Sequence, residues 1–93
     1  MQLLDLKTQS ETVAGYLKVM ANPNRLLILC ELSQGERSVS ALEAAVGLAQ
    51  SALSQHLAKL RACGIVATRR DAQTIYYRLE DPRAISLMAT LYD

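Results

Sequence analysis

Apolar side chains recur every three or four positions along the first third of the chain, which is the spacing of one face of an α-helix. One such stretch spans residues 8–21, and a second runs from residue 23 to about residue 33 and is apolar on nearly every side. Asn22 is a good cap for the second helix, and Pro23 suits its first turn, where a missing N–H costs nothing. The pattern predicts two consecutive helices, the second of them in the core.

Two more helical stretches follow, separated by only three residues. Ser40 and Glu43 form a capping box that predicts the start of a third helix, and Gly47 ends it. The fourth helix covers about residues 50–62, with leucines along one stripe and small or polar residues on the opposite face. A tight turn between two short helices is typical of the helix-turn-helix motif.

The helical period then gives way to segments rich in β-branched and aromatic residues. Residues 65–70 and 74–79 predict two strands of a hairpin, and the three residues between them predict its turn. A last helix is expected to start at Asp81-Pro82, because apolar residues again follow at helical spacing. The order α-α-α-α-β-β-α, mainly α with a small β part, predicts a single winged helix-turn-helix domain over residues 1–93.

Composition narrows the class of protein further. The chain is 51% hydrophobic and 20% charged and has no Trp or Phe, which excludes disordered and collagen-like classes. No apolar run approaches the ~20 residues of a membrane span, and no signal peptide is recognisable, so we expect a cytoplasmic protein without membrane contact. Two cysteines cannot form a disulfide framework, so we expect this small domain to gain stability from a partner subunit.

Charge is distributed unevenly, although the whole chain carries a formal net charge of only +1. Residues 44–79 contain five basic residues and one acidic residue, whereas both flanking segments are net acidic. A basic segment on a nearly neutral chain indicates a face that meets a polyanion, and a solvated face is the alternative. Within that segment, Arg78 follows two tyrosines on the second predicted strand, and we expect it to form a structural ion pair.

Three motifs resemble the ArsR/SmtB family of bacterial winged-helix repressors. The run from residue 17 to 26, LKVMANPNRL, resembles the opening motif of that family, residues 53–66 resemble its recognition-helix signature, and residues 69–79 resemble its wing. The resemblance covers about residues 12–92 and implies a dimeric, DNA-binding transcriptional regulator. One departure is Ala49, where the family usually has a serine that caps the recognition helix. Such a serine cap stabilises a helix by ~1 kcal/mol relative to alanine.

The outer face of the fourth helix offers groups that can read DNA. An α-helix fits the major groove, and the amides of Gln50 and Gln55 can pair with adenine. Lys59 suits a phosphate, and wing arginines can neutralise the DNA backbone or enter a minor groove. His56 lies beside the leucine stripe, so a hydrogen bond within the fold is the alternative to a DNA contact. The predicted DNA-contacting residues are Gln50, Ser51, Ser54, Gln55, His56, Lys59, Arg69, Arg70, Gln73 and Thr74.

Many members of the resembled family sense metals, but the ligand patterns are missing here. The third predicted helix has no Cys-x-Cys pair, the last helix has no His, and the whole chain contains a single His. A tetrahedral Cys/His site within one protomer is therefore implausible, and we expect no metal and no cofactor. A metal-responsive repressor is the alternative.

Cys30 on the second helix resembles the sensor cysteine of the redox- and persulfide-responsive, haemolysin-activator-like branch of the family. That resemblance implies reactive sulfur or an oxidant as effector, acting on Cys30 and on a second cysteine at the end of the last helix. No residue up to Asp93 matches the second cysteine, so we expect a chain ending there to be insensitive to polysulfide. For Cys30 the alternative is an inert core thiol. For Cys63 we favour a structural role, in which it serves only as a small side chain at the end of the fourth helix.

Apolar stripes on the first and last predicted helices indicate a symmetric homodimer, because one small domain cannot bury both stripes. The predicted interface residues are Val13, Leu17, Met20, Ile85, Met88 and Tyr92. Such a dimer would present two recognition helices to an inverted repeat.

The sequence thus predicts a homodimeric bacterial transcriptional regulator, either a repressor or an anti-silencer. An enzyme is disfavoured, because no nucleophile has a nearby base and no phosphate-binding loop occurs. The alternative from another class is a winged-helix protein-interaction module that does not bind DNA.

Overall fold

The protein is described from a computed structural model, which covers residues 3–92. Within that range, five helices and three strands follow one another in the predicted order, with one additional short strand. They are α1 (Leu3–Met20), α2 (Pro23–Leu32), β1 (Arg37–Ser38), α3 (Val39–Val46), α4 (Gln50–Ala62), β2 (Val66–Asp71), β3 (Thr74–Leu79) and α5 (Pro82–Tyr92). Helix α1 extends further towards the N-terminus than the apolar period predicts, and residues 5–15 of it are exposed.

The cap of α3 differs from the prediction. The Oγ atom of Ser38 accepts a hydrogen bond from the backbone N–H of Ala41 at 3.1 Å, so Ser38 is the N-cap. The capping box predicted between Ser40 and Glu43 is wrong, because Ser40 already lies inside the helix. The predicted end of α3 is confirmed, since Gly47 caps it in the left-handed conformation.

The caps of α2 and α4 agree with the sequence. The Oδ1 atom of Asn22 accepts hydrogen bonds from the backbone N–H groups of Asn24 and Arg25, at 3.0 and 3.1 Å. At the start of α4, Ala49 occupies the N-cap position without any side-chain hydrogen bond. The first turn of α4 therefore keeps backbone N–H groups that no side-chain cap satisfies.

The predicted hairpin is part of a three-stranded antiparallel sheet in the order β1-β3-β2. Strand β1 consists of only two residues, paired with Tyr76 and Tyr77 of β3, and the sequence pattern does not indicate it. Strand β2 continues to Asp71, so that the turn is shorter than predicted and contains Ala72 and Gln73. Ala72 has a φ of 56°, which is a left-handed conformation that favours glycine.

A single apolar core joins all five helices to the start of β2. Its buried residues are Met20, Ile28, Leu29, Leu32, Leu42, Leu53, Leu57, Leu60, Ile65, Val66, Ala84 and Met88. Helix α2 is less completely buried than predicted, because Leu27 is 52% exposed. None of the helices among residues 3–92 is both long and apolar enough to cross a membrane.

The fold buries two of the six residues predicted for the dimer interface and leaves the other four exposed. Met20 and Met88 are each only 2% exposed and belong to the core of one protomer, so their assignment to the interface is wrong. Both methionines lie where α1 and α5 touch the rest of the domain, which the helical period alone does not distinguish from an outer stripe. The remaining four residues are about half exposed, namely Val13, Leu17, Ile85 and Tyr92.

A polar cluster fixes the start of α5 beside α1. The Asp81 carboxylate accepts hydrogen bonds from the backbone N–H and from Nη2 of Arg83, each at 2.9 Å, and these bonds lower the pKa of Asp81 to about 2. The Arg83 guanidinium lies 4.4 Å from the ring centre of Tyr16 on α1. Burial, followed by the neighbouring Asp81, raises the pKa of Tyr16 to about 12. The cluster thereby orients the exposed apolar faces of α1 and α5.

Candidate nucleic-acid interface

Helix α4 has one fully buried face and one fully exposed face. Leu53, Leu57 and Leu60 point into the core and are at most 1% exposed, as their helical spacing predicts. The leucines therefore anchor the helix and orient its opposite face to solvent. The exposed residues on α4 include Gln50, Ser51, Ser54, Gln55, Ala58, Lys59 and Arg61.

The polar groups on this exposed face are not used by the fold. Within residues 3–92, the side chains of Gln50, Ser51, Ser54 and Gln55 form no hydrogen bond to protein atoms. Ser51 does not replace the missing cap at Ala49. The two amides and two hydroxyls are therefore free to pair with base edges or phosphates.

His56 is involved in a contact between helices. Its Nδ1 atom accepts a hydrogen bond from Nε of Arg25 on α2 at 3.2 Å, and Nη1 of Arg25 donates to the carbonyl of Val19 at 2.7 Å. Burial, followed by the positive charges of Arg25 and Lys59, lowers the pKa of His56. The neutral ring with its proton on Nε2 fits this hydrogen bond. His56 thus forms the hydrogen bond within the fold that the sequence indicated as the alternative. A DNA contact by its Nε2 atom stays a prediction.

The two wing arginines are held differently. Successive residues of a strand point to opposite faces, so Arg69 and Arg70 diverge. Arg69 is paired with Tyr76 across the hairpin, and its guanidinium lies 4.5 Å from that ring centre. Its Nε and Nη2 atoms donate to the carboxylate of Glu36 at 2.7–2.9 Å. These hydrogen bonds lower the pKa of Glu36 and raise the pKa of Arg69.

Arg70 has no such partner. In the part of the chain that the structure describes, its side chain makes no hydrogen bond or ion pair, and Gln73 and Thr74 at the wing tip are also exposed. The ion pair expected for Arg78 is present, with Nε of Arg78 at 3.2 Å from Glu80 Oε2. Sequence reasoning missed the pairing of Arg69 with Glu36, which are 33 positions apart.

Cys30 lies on the wall of an open groove between α2 and α5 with a volume of about 550 Å³. It is half-buried and outside the buried core, so the alternative of a core thiol is not supported. Ile85 and Tyr92 line the same groove from α5. Cys63 is exposed at the end of α4, and both thiols are free. Among residues 3–92, no group of three or more His, Cys, Asp or Glu side chains could hold a metal ion.

The winged helix-turn-helix class is defined by three features that this fold has. They are a buried leucine stripe, an exposed polar face on the second helix of a tight helical pair, and a β-hairpin beside that helix. The family model described as "Bacterial regulatory protein, arsR family" matches residues 22–68. The nodulation protein NolR of Rhizobium meliloti is 55% identical over 84 residues, which are 90% of this chain and 69% of that protein. The chain therefore belongs to the arsR family of bacterial regulatory proteins, which are transcriptional regulators and not enzymes.

Solved structures agree with this assignment. The chain resembles reduced HlyU from Vibrio cholerae with a TM-score of 0.91 and 43% identity, covering 97% of this chain and 95% of HlyU. It also resembles the homodimeric winged helix-turn-helix DNA-binding domain of Mb0332 from Mycobacterium bovis, with a TM-score of 0.84 and 34% identity. That match covers 97% of this chain and 83% of the Mb0332 domain.

Proposed function

We propose that this regulator acts as a homodimer on an inverted-repeat operator, as a repressor or anti-silencer. In this proposal α4 enters the major groove and the hairpin contacts the flanking backbone. The observation that carries it is the exposed polar face of α4, where Gln50, Ser51, Ser54 and Gln55 have no partner within residues 3–92. Polar side chains on a rigid, core-anchored helix are suited to reading base edges.

The dimer is supported by apolar surface that the protomer leaves uncovered. Val13 and Leu17 on α1, and Ile85 and Tyr92 on α5, are 47–55% exposed. A two-fold axis would place identical recognition helices about 34 Å apart, which is one turn of B-DNA. The Mb0332 domain, which shares this fold, is described as homodimeric.

Gln55→Ala and Arg70→Ala should have different effects on DNA binding. We expect Gln55→Ala to cost about 1–3 kcal/mol at one position of each half-site and to relax base preference there, because a bidentate amide is lost. Arg70→Ala should weaken binding to all sequences alike and flatten the salt dependence, because a phosphate contact is lost. Fluorescence anisotropy on operator and mutated duplexes measures both effects.

Gln34→Ala is the matched control, since Gln34 is an exposed glutamine on the turn after α2. It should leave both the base preference and the salt dependence unchanged. If the Gln55 and Arg70 variants exchanged their phenotypes, the division between base reading and backbone contact would be wrong.

We further propose that DNA affinity is controlled at Cys30. Attack of the Cys30 thiolate on a polysulfide forms an S–S bond at Cys30 and releases a polysulfide shortened by one sulfur. Where a second cysteine follows α5, its thiol then attacks the Cys30 sulfur, which forms a disulfide and releases hydrosulfide. The open groove gives reagents access to Cys30, and Tyr92 in the last turn of α5 lines the same groove.

In a chain that carries a second cysteine after α5, polysulfide treatment should weaken DNA binding about five-fold or more, which is the usual range of coupling between sites. Cys30→Ser should retain its affinity under the same treatment. A chain that ends at Asp93 should also retain it, because its other thiol is Cys63 at the C-terminal end of α4 and none follows α5. Gel shifts before and after treatment, with mass spectrometry of the cysteines, measure this. If Cys63→Ser abolished the response and Cys30→Ser did not, Cys63 and not Cys30 would control DNA affinity.

A further inference from the structure

Glu36 and Arg69 form a contact that spans the whole width of the sheet. Glu36 immediately precedes β1 at one edge, Arg69 lies on β2 at the other edge, and β3 runs between them. The guanidinium reaches the carboxylate over the ring of Tyr76, with which it stacks at 4.5 Å. Two donors of the guanidinium, Nε and Nη2, face the two carboxylate oxygens at 2.7–2.9 Å.

This pair is open to solvent on the wing. The Arg69 side chain is 49% exposed and the Glu36 side chain is 29% exposed. A guanidinium binds carboxylate and phosphate through the same fork of donors, so Glu36 occupies the groups that a DNA phosphate would use. Exposed ion pairs contribute little to the free energy of folding. Stabilisation of the fold therefore does not explain why Glu36 and Arg69 are paired.

The neighbouring arginine provides the contrast. Arg70 lies on the opposite face of β2, one position nearer the wing tip, and makes no ion pair within the described residues. Of two adjacent positive charges on the wing, one is neutralised by the fold and one is available. The count of basic residues in the central segment therefore overstates the charge that the wing can present to DNA.

We propose that Glu36 withholds the charge of Arg69 from the DNA backbone and so suppresses sequence-independent binding. The inference rests on the proposed contact between the wing and DNA. Sequence-independent affinity comes from phosphate contacts, whereas base preference comes from the face of α4. Withholding one phosphate contact lowers the affinity for arbitrary DNA and leaves base reading intact, so that base reading accounts for a larger share of the affinity for the operator.

Glu36→Gln tests the proposal, because it removes the carboxylate charge and keeps the size of the side chain. The probe is a duplex of arbitrary sequence of about 30 base pairs, titrated by anisotropy between about 50 and 200 mM salt. We expect Glu36→Gln to bind this duplex about three-fold more tightly per protomer at the lower salt. The slope of log affinity against log salt should steepen by about 0.9 per protomer, which is the contribution of one phosphate contact.

Two further variants separate this effect from a general change in net charge. In an Arg69→Met background, Glu36→Gln should bring a much smaller gain, since the released guanidinium is absent. Glu80→Gln is the matched control: it removes the partner of Arg78 on the same hairpin, further from the wing tip, and should bring a smaller gain. Thermal unfolding by circular dichroism verifies that each variant is folded.

The proposal is overturned if Glu36→Gln leaves the affinity and slope unchanged, weakens binding, or acts equally in the Arg69→Met background. Arg70→Ala distinguishes a failure of the proposed wing contact from a failure of this inference alone. If Arg70→Ala does not weaken binding, the wing does not contact DNA. The proposed wing contact and the proposed role of Glu36 then both fail. If Arg70→Ala weakens binding and Glu36→Gln has no effect, only the role of Glu36 is rejected.

Discussion

Leu57→Ala should lower the free energy of unfolding by about 2–5 kcal/mol, which is the usual cost of truncating a fully buried leucine. Leu57 is 1% exposed and lies between Leu53 and Leu60 on the buried face of α4. The truncation removes apolar contacts and leaves a cavity directly beneath the helix that we propose reads DNA. Urea denaturation followed by circular dichroism, at one fixed protein concentration, measures the change.

Leu27→Ala provides the matched control for this prediction. It is the same substitution on α2, at a side chain that is 52% exposed, and it should cost less than about 1 kcal/mol. Equal losses for the two variants would show that α4 is not anchored by its leucine stripe.

Leu17→Glu should convert the proposed dimer into a monomer and abolish tight binding to a duplex with two half-sites. Leu17 is 48% exposed on the apolar face of α1, and a carboxylate there would be buried without a partner in the dimer. Each half-site would then be bound independently, so the affinity should fall by about two to four orders of magnitude. Light scattering at micromolar concentration and anisotropy on the same duplex measure the two effects.

Gln34→Glu introduces the same charge at an exposed turn and should remain dimeric with DNA affinity close to wild type. Persistence of the dimer in Leu17→Glu would place the interface elsewhere on the surface. A wild-type protein that is a stable monomer at micromolar concentration would reject the homodimer itself.

Local patterns were sufficient to predict most of the elements. The leucines of α4 repeat with the helical period, and the hairpin is rich in β-branched and aromatic residues, so each element is indicated by its own sequence. The capping role of Asn22 also follows from its immediate neighbours. The exposed polar face of α4 was predictable for the same reason, since it is the complement of the buried stripe.

Features that depend on tertiary pairing were not predictable in this way. Strand β1 has two residues, too few for any period, and exists only because β3 lies beside it. Glu36 and Arg69 are distant in the chain and meet across β3, because the sheet order places β1 and β2 on either side of that strand. Met20 occupies an apolar position of α1 as Leu17 does, but only the packing of the domain decides which of them is buried.

Selection of bound duplexes from a random-sequence pool tests the central claim most directly, namely that the exposed face of α4 reads DNA. The wild-type protein should enrich an inverted repeat whose half-site centres lie about 10 base pairs apart, or a multiple of that spacing. Gln55→Ala should lose the preference at one symmetric position of that repeat and keep the others. Enrichment of no sequence by the wild-type protein, or of an identical repeat by the Gln55→Ala protein, would contradict the account.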